Sequence, residues 1–293
     1  MLIEPRTVKL TTRTGVAVHR TLPHRDLKMV GAWCFVDHFG PTEQTDGMVV
    51  AAHPHTGLQT ATWLIEGAIE HRDSIGTVQQ ISPGQLNLMT AGHGIAHSEL
   101  SLAGPQHLHA VQLWIALPKD SIDTAPEFEH QADLPKVLGD SFTATVLVGE
   151  FLGARAATKT FSPMMGAELR FAGDTSTEIT LNPEFEYGFM LAAGELSVAG
   201  HSVPTSGLYY LPMGTESVAL EAAVGSIVLM LGGKPFGEKI LMWWNFIGRT
   251  QADISKAREE WNAQTGTRFG KFEDQIGGWI PAPDLPNVAM HSR

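Results

Sequence analysis

Short apolar runs broken by glycine and proline set the pattern of this chain. Between residues 1 and 116, the stretches 48–52, 60–65, 78–81 and 110–116 have the length and composition of β-strands. Gly47, Gly67, Ser82-Pro83-Gly84, Gly92 and Gly94 punctuate them. Strands this short, at this spacing, predict a sandwich or barrel. Residues 117–136 change character, running from Leu117-Pro118-Lys119-Asp120 to Leu134-Pro135-Lys136 without a clear apolar period, and read as a linker. A second strand-rich series follows, at 143–148, 168–171, 178–181, 189–191, 209–211 and 226–231. Its turns at Gly194, Gly200, Gly207 and Pro212-Met213-Gly214 echo the first series as a faint duplication. One helix is predicted near the end. Thr250-Gln251-Ala252-Asp253 fits a capping box, Ile254, Ala257 and Trp261 recur at helical spacing, and Gly266 is a natural stop. The Pro-rich tail after Gly277 reads as an irregular strap or a frayed end.

Composition turns this pattern into a domain count. A chain of 293 residues with 43% hydrophobic content builds a core and suits two domains. The expected boundary separates residues 1–135 from 136–293. Thirty glycines and 17 prolines favour many short elements, hence an all-β fold. The net charge of −11, with no two Lys or Arg adjacent, argues against direct binding to nucleic acid or an anionic membrane. Cys34 is the single cysteine, so no internal disulfide forms, and Trp33-Cys34-Phe35-Val36 marks it as a buried thiol. The N-terminus MLIEPRTVKL lacks the layout of a secretory signal, and no run of about 18 apolar residues exists. A soluble, cytoplasmic monomer is the expectation.

Candidate chemistry gathers in the first half. Seven of the 13 histidines lie between His53 and His109. Two patterns stand out, His53-Pro54-His55 and His97-Ser98-Glu99. Residues two apart on a strand point to the same face. Two such strands facing each other would aim three imidazoles and one carboxylate at one point. Either pair alone fits surface residues; together, among strands, they favour a metal centre. Neutral imidazole suits Fe, Ni, Cu and Zn, and a carboxylate shifts preference toward Fe(II) or Mn(II). The remaining polar residues read more plainly. His71, after Glu70, is expected to be a solvated turn residue, and His93 a loop residue between two glycines. His107 and His109 are expected to pack and hydrogen-bond. Gln59 is a candidate to orient a ligand or substrate, and Trp63 or Trp114 to line an aromatic pocket. No Walker loop, GxSxG, CxxC or dinucleotide fingerprint is present.

These residues carry a family resemblance. The segment Phe35-Val36-Asp37-His38-Phe39-Gly40-Pro41, then His53-Pro54-His55-Thr56-Gly57, then Thr90-Ala91-Gly92-His93-Gly94-Ile95-Ala96-His97-Ser98-Glu99 resemble the pirins of the cupin superfamily. Met242-Trp243-Trp244-Asn245-Phe246 resembles the carboxy-terminal signature of bacterial pirins. The resemblance implies an all-β bicupin: two jelly-roll β-barrels packed face to face, with a short C-terminal helix. It implies one metal, usually iron, in the amino-terminal cupin, held by His53, His55, His97 and Glu99. The carboxy-terminal cupin is expected to be degenerate and metal-free. Three positions depart from common pirin residues: Thr56 and His93, where Arg is frequent, and Gln59, where Glu is frequent. These departures bear on the pocket's charge and hydrogen bonding, and leave the ligand set intact.

Two functions compete. Some pirins resemble quercetin 2,3-dioxygenases, which open a flavonol ring with O₂ and release carbon monoxide. That reading expects a small aromatic substrate such as a flavonol, Fe(II) as cofactor, and Glu99 as both ligand and general base. The other is a redox-responsive regulator acting through a protein partner without turnover. A stable bicupin with a structural metal is the plainest reading.

Overall fold

Two kinds of strand follow from the sequence. Ser217–Ala222 turns Val218, Leu220 and Ala222 inward and its other side chains outward, the period-two pattern of a sheet with one wet face. Leu58–Glu66 is buried everywhere except its last residue, so protein covers both its faces. The computed structural model describes every residue except 11–16, 45–47, 103–105, 140, 272–277 and 291–293. Gly47, Gly277 and His291 lie outside the described residues.

The chain divides into two compact units. One comprises Lys9–Val18, Phe39–His130 and Gly237–Arg293; the other comprises Met1–Val8, His19–His38 and Gln131–Phe236. In the first, β1 (Val49–His55), β2 (Leu58–Glu66), β3 (Ile69–Asp73), β4 (Val78–Ile81), β5 (Leu86–Thr90), β6 (Ile95–Ser101) and β7 (Gln106–Ala116) build two sheets. One sheet has the order β1-β6-β3-β4. The other includes, in order, strand Glu127–Gln131, β5, β2, β7 and strand Trp33–Gln44. The hairpin of β8 (Leu241–Trp243) and β9 (Phe246–Gly248) and helix α1 (Gln251–Asn262) complete the unit.

Between β1 and β2 the chain reverses at Gly57, whose φ is +71°. A Cβ there would lie 2.4 Å from the Ile247 carbonyl oxygen, so glycine is required by both conformation and space. Helix α1 starts as the sequence predicts. Thr250 Oγ1 accepts from the Asp253 amide, and Asp253 accepts from the Thr250 amide. Its buried face, Ile254, Ala257 and Trp261, packs with Ala96, Leu241, Phe246, Phe269 and Ala282. The tail then runs along β1: Ala52 donates to the Gly278 carbonyl, and Ile280 donates to the Ala52 carbonyl. The strap expected from the Pro-rich composition therefore covers the free edge of β1.

The stretch 117–136, read as a linker, contains the change from one unit to the other at His130/Gln131, but it is not irregular throughout. Lys119–Ser121 is a 3₁₀ turn, and Glu127–Gln131 is an edge strand beside β5. All five residues of that strand are half-buried, so no apolar alternation announces it.

The other unit repeats the two-sheet plan. Its larger sheet has the order Leu2–Ile3, Leu208–Leu211, Glu186–Ala193, Ile227–Gly233, Met164–Phe171, Phe142–Val148, Lys136–Leu138. Its smaller sheet has the order Thr175–Thr180, Ser217–Ala222, Leu196–Val198, His201–Val203. Trp33 is fully buried here and donates its indole N–H to the Met165 carbonyl at 3.1 Å. Cys34 is buried and forms no disulfide.

Candidate metal centre

Register brings the candidate ligands together. In the sheet β1-β6-β3-β4, His97 of β6 stands opposite His53 on one side and Asp73 on the other. Glu99 stands opposite His71. Directly opposed residues share a face, as do residues two apart on one strand. One face of this sheet therefore carries His53, His55, His71, Asp73, His97 and Glu99.

Two overlapping groups of side chains have ligand atoms within 4.8 Å of one another: His53, His55 and His97, and His71, His97 and Glu99. These are the metal-capable groups found among the described residues. His55 and His97 are 1% exposed and His53 and Glu99 8%, so all four are buried. Around it, Trp114 meets His55 edge-on, with ring centroids 5.1 Å apart. Phe128, from the edge strand missed in the sequence, stacks on His71 at 4.5 Å.

The hydrogen bonds favour a cation at this point. His53 Nδ1 lies 2.9 Å from the Ala51 carbonyl. A carbonyl only accepts, so this nitrogen carries the proton and Nε2 keeps its lone pair. His55 Nε2 and His97 Nε2 face each other at 3.1 Å. Two nitrogens bound to one ion at about 2.1 Å, at a right angle, stand about 3 Å apart. Converging imidazole lone pairs in a buried site fit a metal ion.

Electrostatics point the same way. Burial pushes His53 down to about 4; the Ala51 carbonyl opposes this and the nearby His71 adds to it. Burial, then neighbouring histidines, holds His55 and His97 well below the usual imidazole range. His55 Nδ1 makes no hydrogen bond of full geometry, yet the Asn245 main chain lies close enough to oppose that shift. At neutral pH all three imidazoles are neutral, the form that ligates a metal. Glu99 is pushed up by burial, against the opposing influence of His71 and Thr62. The Thr62 hydroxyl is 3.4 Å from Glu99 Oε1 and 2.9 Å from Gln112 Oε1. With one proton to give, it serves Gln112 first, and Glu99 is left weakly bonded until a cation arrives.

The other sequence candidates lie elsewhere. Gln59 donates to Thr90, its partner across the β2–β5 ladder. It is three residues from Thr62 on an unbroken strand, so it faces away from Glu99 and does not orient anything at the cluster. His93 is exposed and contacts the Thr124 carbonyl, and His109 is buried opposite Glu66. Neither belongs to the metal-capable groups, nor does His107. The expectation of a solvated His71 is overturned: it is 4% exposed and its Nε2 lies 3.0 Å from Asp73 Oδ2. The signal was available, because His71-x-Asp73 has the same i, i+2 spacing as the two recognised pairs.

Two jelly-roll units, one presenting three imidazoles and a carboxylate on strand faces, define a bicupin with a candidate metal centre. The pirin family model matches residues 15–115, and the model of the pirin C-terminal cupin domain matches residues 166–270. A Pseudomonas aeruginosa protein named "Putative quercetin 2,3-dioxygenase" is 46% identical over 274 residues, covering 93% of this chain and 87% of that one. A pirin-like protein of Caulobacter vibrioides is 34% identical over 278 residues, covering 91% and 94%. A crystal structure of quercetin 2,3-dioxygenase from Acinetobacter baumannii superposes with a TM-score of 0.96 at 44% identity, covering 100% of this chain and 97% of that one. The chain belongs to the pirin family.

Proposed function

We propose that the protein is a non-haem Fe(II) oxidoreductase of the quercetin 2,3-dioxygenase type, with the ion held by His53, His55, His97 and Glu99. The observation that carries this reading is the convergence of three neutral imidazoles and a buried carboxylate on one sheet face. The 46% identity to a relative bearing the dioxygenase name supports the substrate class. Imidazole ligation also suits Ni, Cu and Zn; the carboxylate favours Fe(II) or Mn(II). In this reading all four metal ligands come from residues 1–135 and none from 136–293, although residues 237–293 pack with the unit that carries the ligands and residues 1–8 and 19–38 with the other.

When bound, the ion supplies a Lewis-acidic point for the flavonol hydroxyl and for reaction with O₂. The chain supplies the rest. The imidazoles are fixed by strand register, which makes the site rigid before substrate arrives. Glu99 takes the flavonol hydroxyl proton, and burial strengthens it as a base. Both oxygen atoms enter the opened product and carbon monoxide leaves, so no external reductant is required. Trp114 and Phe128 close the flanks with apolar surface that limits water.

The test is oxygen uptake by anaerobically Fe(II)-loaded protein given quercetin, with His97→Ala as control. Uptake that needs the metal and disappears in the control is the expected result. No uptake by protein confirmed to hold iron would remove the dioxygenase reading and favour a redox-responsive binding protein.

A further inference from the structure

The pair His71–Asp73 lies outside the four-residue ligand set yet touches it. Asp73 is anchored on one side: Oδ1 accepts from the amides of Ile75 at 3.1 Å and Thr77 at 2.9 Å. Its other oxygen, Oδ2, is 3.0 Å from His71 Nε2. A carboxylate only accepts, so His71 Nε2 carries a proton. In the neutral ring, His71 Nδ1 is then an acceptor. It lies 3.3 Å from His97 Nδ1. His97 must therefore donate from Nδ1, which leaves its Nε2 lone pair facing His55 Nε2. Register makes the chain of contacts possible, because Asp73 stands directly opposite His97 and His71 opposite Glu99. Phe128 stacks on His71 and holds the ring plane.

We infer that His71 and Asp73 form a positioning pair that fixes His97 as its Nδ1–H tautomer and so presents the Nε2 lone pair to the metal. The inference rests on the metal-centre reading above. It adds a direction to that site: a fixed turn orients a carboxylate, the carboxylate orients one imidazole, and that imidazole orients the ligand. Partners one step removed from a metal are commonly worth 10–100-fold in metal affinity.

Asp73→Asn gives a sharp test. The two turn amides hold the Asn carbonyl in the Oδ1 position, so its NH₂ faces His71 and demands an acceptor at Nε2. His71 Nδ1 then becomes a donor, His97 Nδ1 an acceptor, and the His97 proton moves to the nitrogen that should meet the metal. Nitrogen-15 NMR of the metal-free protein reads the tautomer directly. The expected result is Nδ1–H at His97 in the native chain and Nε2–H in Asp73→Asn. In parallel, titration with Co(II) should show a loss of about 10–100-fold in affinity for Asp73→Asn and for His71→Leu. His71→Gln offers an amide oxygen to His97 Nδ1–H and should recover most of the affinity.

An Nε2–H tautomer at His97 in the native chain, or no change of tautomer in Asp73→Asn, overturns the proposal. So does His71→Gln with one fewer imidazole in the Co(II) absorption and X-ray spectra, since His71 would then be a ligand. The tautomer is read without metal and without turnover. Native protein that binds Co(II) with the expected tautomer but, once confirmed to hold iron, consumes no O₂ with quercetin defeats the dioxygenase reading alone.

Discussion

Glu99 has two tasks that oppose each other, because a carboxylate bound to a cation is a poorer base than a free one. Its surroundings ease the conflict. Burial raises its proton affinity, and Thr62 spends its single proton mainly on Gln112. Glu99→Gln keeps the volume and removes the base. Turnover of quercetin by iron-loaded protein should fall on the order of 10²–10⁴-fold, measured as oxygen uptake beside a metal assay. Full activity with full metal content would exclude the role. At this scale the shared sheet face of His53, His55, His97 and Glu99 is legible in the sequence, because i, i+2 pairs need only a strand to point the same way. Gln59 is misread for a physical reason. Its strand is buried on both faces, so polarity does not reveal which residues face which sheet. Only the ladder, with Gln59 opposite Thr90, shows that it shares a face with Ala61 and Trp63.

Among elements, helix α1 is the clearest success of pattern reading, since its cap and its apolar spacing agree. Thr250→Ala should cost about 1 kcal/mol, read as a shift in the denaturation midpoint. Asp253 makes the same cap acid-sensitive. Burial alone would raise its pKa, but the hydrogen bonds from the Arg249 and Thr250 main chain outweigh it and hold the carboxyl below its usual value of 3.8. Its contribution is therefore complete above that value and is lost as pH falls through the lower, folded-state value. Asp253→Asn keeps an acceptor and should flatten the stability profile in that acid window. An identical acid limb in the variant would contradict this. The edge strand Glu127–Gln131 shows the opposite case. Half-buried at every position, it leaves no periodic trace, although it delivers Phe128 to His71.

For the whole molecule, glycine punctuation and repeated short strands predict two strand-rich halves of sandwich or barrel type, and the resemblance to pirins supplies the two jelly rolls. Local pattern carries no sign that residues 237–293 fold with the unit that carries the candidate metal centre. That association depends on contacts distant in sequence, and Trp261 concentrates them. It is 4% exposed, packs among Phe246, Ile254 and Phe269, and donates its indole N–H to the Ile280 carbonyl at 2.8 Å. Trp261→Ala should cost about 3–5 kcal/mol in chemical denaturation. Because Ile280 is itself bonded to Ala52 of β1, Co(II) affinity should fall in the same variant. Unchanged affinity would mean that the strap does not brace the ligand strand.

The strap also sets an order of events. β1 carries His53 and His55, and its outer edge stays open until residues 278–280 reach it. Chains emerge from the ribosome N-terminus first, and open strand edges invite pairing with other chains. The candidate ligands on β1 are thus made well before the segment that seals their strand. Metal loading of a sealed site should therefore follow synthesis of residue 280, and not that of the ligands themselves.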